Sequence, residues 1–91
     1  MKKGLWILLN KVFKKDLELL YGDSSFVDID NVFFSTNKKI YVISCKLHIS
    51  DVTLYEKVGE DGLNYLVEES WKYLGFYNKN FMLQISFDLT I

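Results

Sequence analysis

His48 is the only imidazole in the 91-residue chain, and Cys45, three positions before it, is the only thiol. A relay of nucleophile, histidine and acid would have to run through His48, and thiolate chemistry through Cys45. Asp28, Asp30 and Asp88 are acids that neighbouring strands can bring to His48. With His48 they offer a metal ion one nitrogen ligand and no local spacing motif, so no metal centre is expected. Cys45 falls on an inward-facing strand position between Ser44 and Lys46, where a small buried thiol is the expectation. Gly59 and Gly62 in VGEDG have the outline of a phosphate-binding loop, but that chemistry needs Lys-Ser or Lys-Thr at the helix start. Glu60 and Asp61 stand there instead and repel phosphate, so the glycines are read as a loop leading into a helix. The expectation is a protein that is not an enzyme, with no cofactor and no small-molecule substrate.

The elements that would position these residues are legible in the periodicity. Leu5 to Tyr21 has helical spacing, with Leu5, Leu8, Leu9, Val12, Phe13, Leu17, Leu19 and Leu20 on one broad arc and Lys11, Lys14, Lys15 and Glu18 opposite. Gly22 suits a C-terminal cap, and Asp23-Ser24-Ser25 a turn. The period then changes to two. Phe26 to Phe34 and Ile40 to Ile49 read as the strands of a hairpin closed by Ser35 and Lys39. That register pairs Phe33/Tyr41, Asn31/Ile43, Ile29/Cys45 and Val27/Leu47 on the core face. On the other face it pairs Phe34/Ile40, Val32/Val42, Asp30/Ser44, Asp28/Lys46 and Phe26/His48, with an ion pair between Asp28 and Lys46. From Ser50 to Asp61 the sequence suits a further strand, a short helix capped by Ser50 or Asp51, or an irregular loop, and the loop is the reading adopted. A second helix from about Glu60 to Leu74 turns Leu63, Leu66, Val67, Ser70, Trp71 and Leu74 inward, pairs Glu68 with Lys72 and ends at Gly75. The chain closes on NFMLQISFDLTI, which alternates Phe81, Leu83, Ile85, Phe87, Leu89 and Ile91 against Met82, Gln84, Ser86, Asp88 and Thr90.

The order α-β-β-α-β implies an α+β fold: a two-layer domain with a three-stranded, mostly antiparallel sheet and two helices on one face. A composition of 49% hydrophobic and 16% aromatic residues suits a single globular domain spanning 1–91. The longest apolar run, Leu5 to Leu9, is too short to span a bilayer. The start, MKKGLWILLNKVFKK, imitates a signal peptide until Asn10 and Lys11 interrupt it, so it is read as mature protein made in the cytoplasm. All eleven cationic side chains are lysines, against twelve carboxylates, for a net charge of −1. Without arginine the chain lacks the guanidinium fork that recognises phosphate and guanine edges, and no basic footprint for nucleic acid emerges.

What remains is surface. The hairpin register gathers Val32, Phe34, Ile40 and Val42 on the outward sheet face, where they either form a patch of the size that marks interaction sites or are covered by the long loop or one helix. Asp16, near the middle of the first helix's apolar arc, either reaches solvent by rotation of the helix or accepts a hydrogen bond from another subunit. A three-stranded sheet also has two edges, and the chain has no proline to block either. These features point to protein partners, in a homo-oligomer or a larger assembly, with no direct nucleic acid and no membrane. Through its LWILLNKVFKKDLELL helix, its hairpin and its terminal NFMLQISFDLTI strand, the chain resembles small phage neck and tail-terminator proteins, which form rings at the head-tail junction. The resemblance implies a virion structural subunit. The alternative is a small inhibitor or adaptor that docks a host factor.

Overall fold

The computed structural model describes residues 3–37, 39–76 and 80–89. Helix α1 (Lys3–Tyr21) ends where Gly22 takes φ +81° and returns its N–H to Glu18 O at 2.8 Å. Strands β1 (Val27–Asn37) and β2 (Ile40–Ile49) form an antiparallel hairpin. Two helices, α2 (Val52–Val58) and α3 (Glu60–Trp71), precede a wide turn at Lys72–Phe76, in which Gly75 takes φ +112°, and the last strand is β3 (Phe81–Leu89). The α+β class holds. The sheet order is β1-β2-β3 with β2 central, and β3 runs parallel to it, so the sheet is mixed rather than mostly antiparallel.

Parallel pairing needs a crossover long enough to return the chain to the same end of the sheet, and the α2–α3 pair supplies it. Residues 50–60 are therefore not a loop. Asp51 caps α2, its Oδ1 accepting from the N–H groups of Thr53 (3.0 Å) and Leu54 (3.2 Å).

One apolar cluster holds the layers together. Leu9, Phe13 and Leu17 of α1 meet Leu63, Leu66, Val67 and Trp71 of α3 over Val27, Ile29, Ile43, Leu47 and Ile49 of the sheet. Each fully buried Leu or Phe side chain of this kind contributes roughly 1.5–3 kcal/mol. The buried stripe of α1 is narrower than its apolar arc, because residues four apart stack on one line; Leu8, Leu19 and Leu20 stay exposed. On α3 the expected inner face is the observed one, and the buried Ser70 satisfies its hydroxyl on Leu66 O at 2.8 Å. Lys72 reaches Glu69 at 3.8 Å, one residue from the expected Glu68.

The hairpin differs most from expectation. It closes at Asn37↔Ile40 instead of Ser35/Lys39, a two-residue connection of the length that best follows strand twist. Near the open end the register is Val27↔Ile49 and Ile29↔Leu47, two residues from the expected one, which preserves the faces because two is the side-chain period. Between Asp30 and Phe33 the register shifts, so that Asn31 and Val32 together oppose Cys45: a β-bulge. Beyond the bulge the alternation is inverted. On the open-end side of the bulge Asp28 is in register with His48 and meets Lys14 of α1 rather than Lys46, and Phe26, one residue ahead of β1, is buried rather than outward.

Candidate protein interface

Along β2 the odd residues 43 to 49 are buried under the helices, and the even residues look away from them. In register with that outer face stand Phe33 beside Ser44, Ser35 beside Val42, and Met82 on the other flank of Val42. The outer face near the turn therefore carries Phe33, Ile40, Val42 and Met82 in adjoining rows, with Phe33 67%, Met82 47% and Ile40 43% exposed. Contiguous exposed apolar side chains of this kind mark contact surfaces.

Two expected members of that patch are corrected. Val32 packs against the core cluster, because the bulge turns it inward. Phe34 pairs with Ile43, a core-face position, instead of Ile40, and its side chain lies outside the described residues. Ile40 and Val42 stand where expected. Phe33 escapes the sequence pattern because an unbulged register turns it inward, and Met82 because it sits among the polar residues of its strand; only the bulge and the parallel pairing bring the two together. Asp16 is half-buried at the flank of the α1 stripe, beside a shallow depression shared with Val12, Lys15, Leu19 and Tyr73.

The other half of the outer face is polar. His48 spans the sheet, with Nε2 3.1 Å from Asp30 Oδ2 on β1 and Nδ1 3.1 Å from Asp88 Oδ2 on β3. Both contacts are hydrogen bonds at once only when both ring nitrogens carry protons. His48 thus bridges Asp30 of β1 and Asp88 of β3 across the outer face, a tie over three strands. Ser44 Oγ donates to Gln84 Oε1 at 3.0 Å in the same face. Among the described residues no group of three or more His, Cys, Asp and Glu side chains is arranged to hold a metal ion. On the opposite face burial pushes the Cys45 thiol up to about 12, which keeps it protonated and unreactive at neutral pH.

A corner between α2 and α3 sets up a second feature. Gly59 takes φ +82° there, which favours glycine, and a Cβ on Gly62 would lie 3.2 Å from Val58 Cγ1, a close contact that the valine side chain would have to yield to. Glu60 and Asp61 occupy the first turn of α3, where the helix dipole favours them. Tyr55 of α2 donates its hydroxyl to Glu60 Oε1 at 2.5 Å and sets its ring 5.7 Å from that of Phe87 on β3. Between α3 and β3 runs a groove of about 450 Å³ lined by Asp61, Asn64, Tyr65, Glu68, Phe81, Leu83 and Ile85. Among the described residues its charged lining is acidic throughout.

The sheet edges complete the surface. Tyr41 N–H donates to Asn80 O at 2.9 Å, and Tyr41 is in register with Phe81. In a parallel ladder this phase directs the even residues of β3 toward β2 and leaves the N–H and C=O groups of Phe81, Leu83, Ile85 and Phe87 facing away from the sheet. At the opposite edge the outward Ile29 carbonyl is taken by Trp6 Nε1 at 2.9 Å.

Comparisons with known proteins bear on the fold alone. No protein-family model matches the chain, and no curated protein is significantly similar to it. Among solved structures, a crystal structure of an Aquifex aeolicus Era variant bound to GDP and AlF4− is similar over 99% of this chain and 33% of its own, with a TM-score of 0.60 and 13% identity. A second, Era in complex with MgGDPNP and a fragment of 16S ribosomal RNA, is similar over 94% of this chain and 32% of its own, with a TM-score of 0.59 and 12% identity. The chain thus spans about a third of the length of these neighbours. No helix among the described residues is long and apolar enough to cross a membrane.

Proposed function

We propose that the chain is a non-catalytic assembly subunit that associates with protein, including copies of itself, through the outer sheet face. The observation that carries this reading is the exposed row of Phe33, Ile40, Val42 and Met82 on the face turned away from the helices. The phage head-tail junction is one assembly that such a subunit would serve. Light scattering after size-exclusion chromatography tests the reading: mass rises with concentration in the native chain, and Phe33→Ser with Met82→Ser leaves a monomer with unchanged circular dichroism. A native chain that stays monomeric at every concentration overturns self-assembly and favours the inhibitor or adaptor reading.

A nucleic-acid reading draws on one observation, the fold shared with a region of a chain whose structure includes a ribosomal RNA fragment. The surface argues against carrying that ligand over. Asp61 and Glu68 line the groove, Glu60 joins Asp61 at the α3 N-terminus where a phosphate would dock, and no lysine among the described residues lines the groove. The expected outcome of a gel-shift titration with single-stranded RNA at low salt is no retardation; a salt-dependent shift would overturn the assignment.

A further inference from the structure

We propose that the groove between α3 and β3 binds an extended peptide, with lysine or arginine alternating with apolar residues, which adds to the sheet as a fourth strand along β3. The proposal rests on the reading of the chain as a docking protein, but it uses a surface distinct from the outer face.

Strand addition needs an edge whose backbone groups are free in alternate phase and whose neighbouring side chains form pockets. The β3 edge meets both conditions. Leu83 and Ile85 present their N–H and C=O groups outward, and their side chains floor the groove. Tyr65 of α3 adds an exposed aromatic wall. A strand added at this edge sends every second side chain into the groove and the rest onto the outer sheet face beside Met82 and Gln84.

Charge fixes the chemistry of the occupant. Asp61 and Glu68 both line the groove, and Asn64 holds a buried Oδ1 that lacks a hydrogen-bond donor. Carboxylates and an unsatisfied acceptor call for a ligand rich in donors and positive charge, and they repel phosphate. The lysine or arginine row enters the groove, its alkyl stems lying over the apolar floor of Phe81, Leu83 and Ile85, and the apolar row lies on the outer sheet face beside Met82. A second copy of this chain suits the site poorly, because β3 carries no lysine.

Fluorescence anisotropy tests the proposal with three labelled probes: a dodecapeptide alternating lysine with leucine or valine, the same peptide with glutamate for lysine, and a single-stranded RNA dodecamer. The lysine peptide is expected to bind saturably, with the other two at least roughly tenfold weaker. Asp61→Lys with Glu68→Lys inverts the order of the two peptides. Methylating the backbone amides of alternate residues of the lysine peptide, in each of the two phases, separates strand addition from charge attraction. One phase abolishes binding and the other leaves it within about twofold, since only one row of N–H groups faces β3. Equal tolerance of both phases, equal binding of the glutamate peptide, or tighter binding of the RNA overturns the proposal. Loss of peptide binding with patch-dependent assembly intact overturns this proposal alone. A strictly monomeric chain that binds the peptide overturns only the assembly reading.

Discussion

Along the outer edge of β1, Trp6 donates to the Ile29 carbonyl, Lys14 reaches Asp28, and the bulge at residues 31 and 32 breaks the regular spacing that another strand would need. Along the outer edge of β3 there is neither bulge nor proline. The one charge on that strand, Asp88, is turned to His48 on the sheet face. Sheets are usually protected by devices of the first kind, and a long regular strand without them pairs with whatever strand it meets. The asymmetry is built by the helices. Helix α1 packs against β1, whereas α3 stands off from β3 far enough to leave a groove. Protection at one edge and its omission at the other leave β3 as the edge open to pairing.

Backbone substitution gives the largest test of this contrast. Gln84→Pro removes an N–H that points at β2 and is expected to cost about 3 kcal/mol or more. Leu83→Pro, one residue away, removes an N–H that faces the open edge, and its cost is confined to the lost leucine contacts and a modest backbone adjustment, about 1–2 kcal/mol. Urea denaturation of the two variants measures the difference. Equal costs would mean that the ladder phase inferred from Tyr41 and Asn80 is wrong and that the β3 edge is not free.

A smaller effect is expected at the protected edge. Trp6→Ala removes a half-buried indole and the hydrogen bond to Ile29 O, for a loss of about 2–4 kcal/mol, whereas Trp6→Phe keeps most of the packing and loses about 1 kcal/mol. The alanine variant should also aggregate faster at equal stability, followed by light scattering, because it exposes β1 to strand pairing. If Trp6→Phe matches the native chain in both respects, the indole N–H does not guard the edge.

Periodicity alone makes the α+β class, α1, β2, α3, β3 and the buried residues Leu63, Leu66, Val67, Ser70 and Trp71 legible, because each is an amphipathic segment whose pattern is set locally. Three features are not legible in that way. A bulge adds one residue to a strand without marking the sequence, and that residue moves Phe33 outward and Val32 inward. The parallel pairing of β3 depends on the crossover, and the crossover depends on a seven-residue helix too short to show a period. Its start is nonetheless written in Asp51, a capping residue. The groove cannot be foreseen, since Asp61, Glu68 and Leu83 become neighbours only after α3 lies beside β3. For the interface, Ile40 and Val42 follow from strand alternation, whereas Phe33 and Met82 need the register.

The two sides of the molecule should also respond oppositely to pH, with effects smaller than any above. At the turn into β1, Asp23 accepts from Ser25 Oγ (2.7 Å) and Ser25 N–H (2.8 Å), and those hydrogen bonds hold its carboxyl below the usual value of 3.8. A depressed folded value stabilises the protein above the unfolded pKa, and that contribution disappears as pH falls through the folded one. Near β3, the hydrogen bond that Tyr55 donates to Glu60 raises the phenol above 10.0. A raised value contributes fully below the unfolded pKa and is lost as pH climbs through the folded one. Thermal melts of Asp23→Ala and the native chain should therefore converge as pH falls through the lowered Asp23 value, and those of Tyr55→Phe and the native chain as pH climbs through the raised Tyr55 value. Both groups are exposed, so each gap at pH 7 is expected to be small. At pH 7 Tyr55→Phe should weaken binding of the lysine peptide, since Tyr55 clasps the α2–α3 corner that carries Glu60 and Asp61, whereas Asp23→Ala should leave it unchanged, since Asp23 lies at the turn into β1 on the protected side. A peptide affinity that changes with Asp23→Ala at pH 7 would show that the two edges are coupled through the core and that the distinction between them is not local.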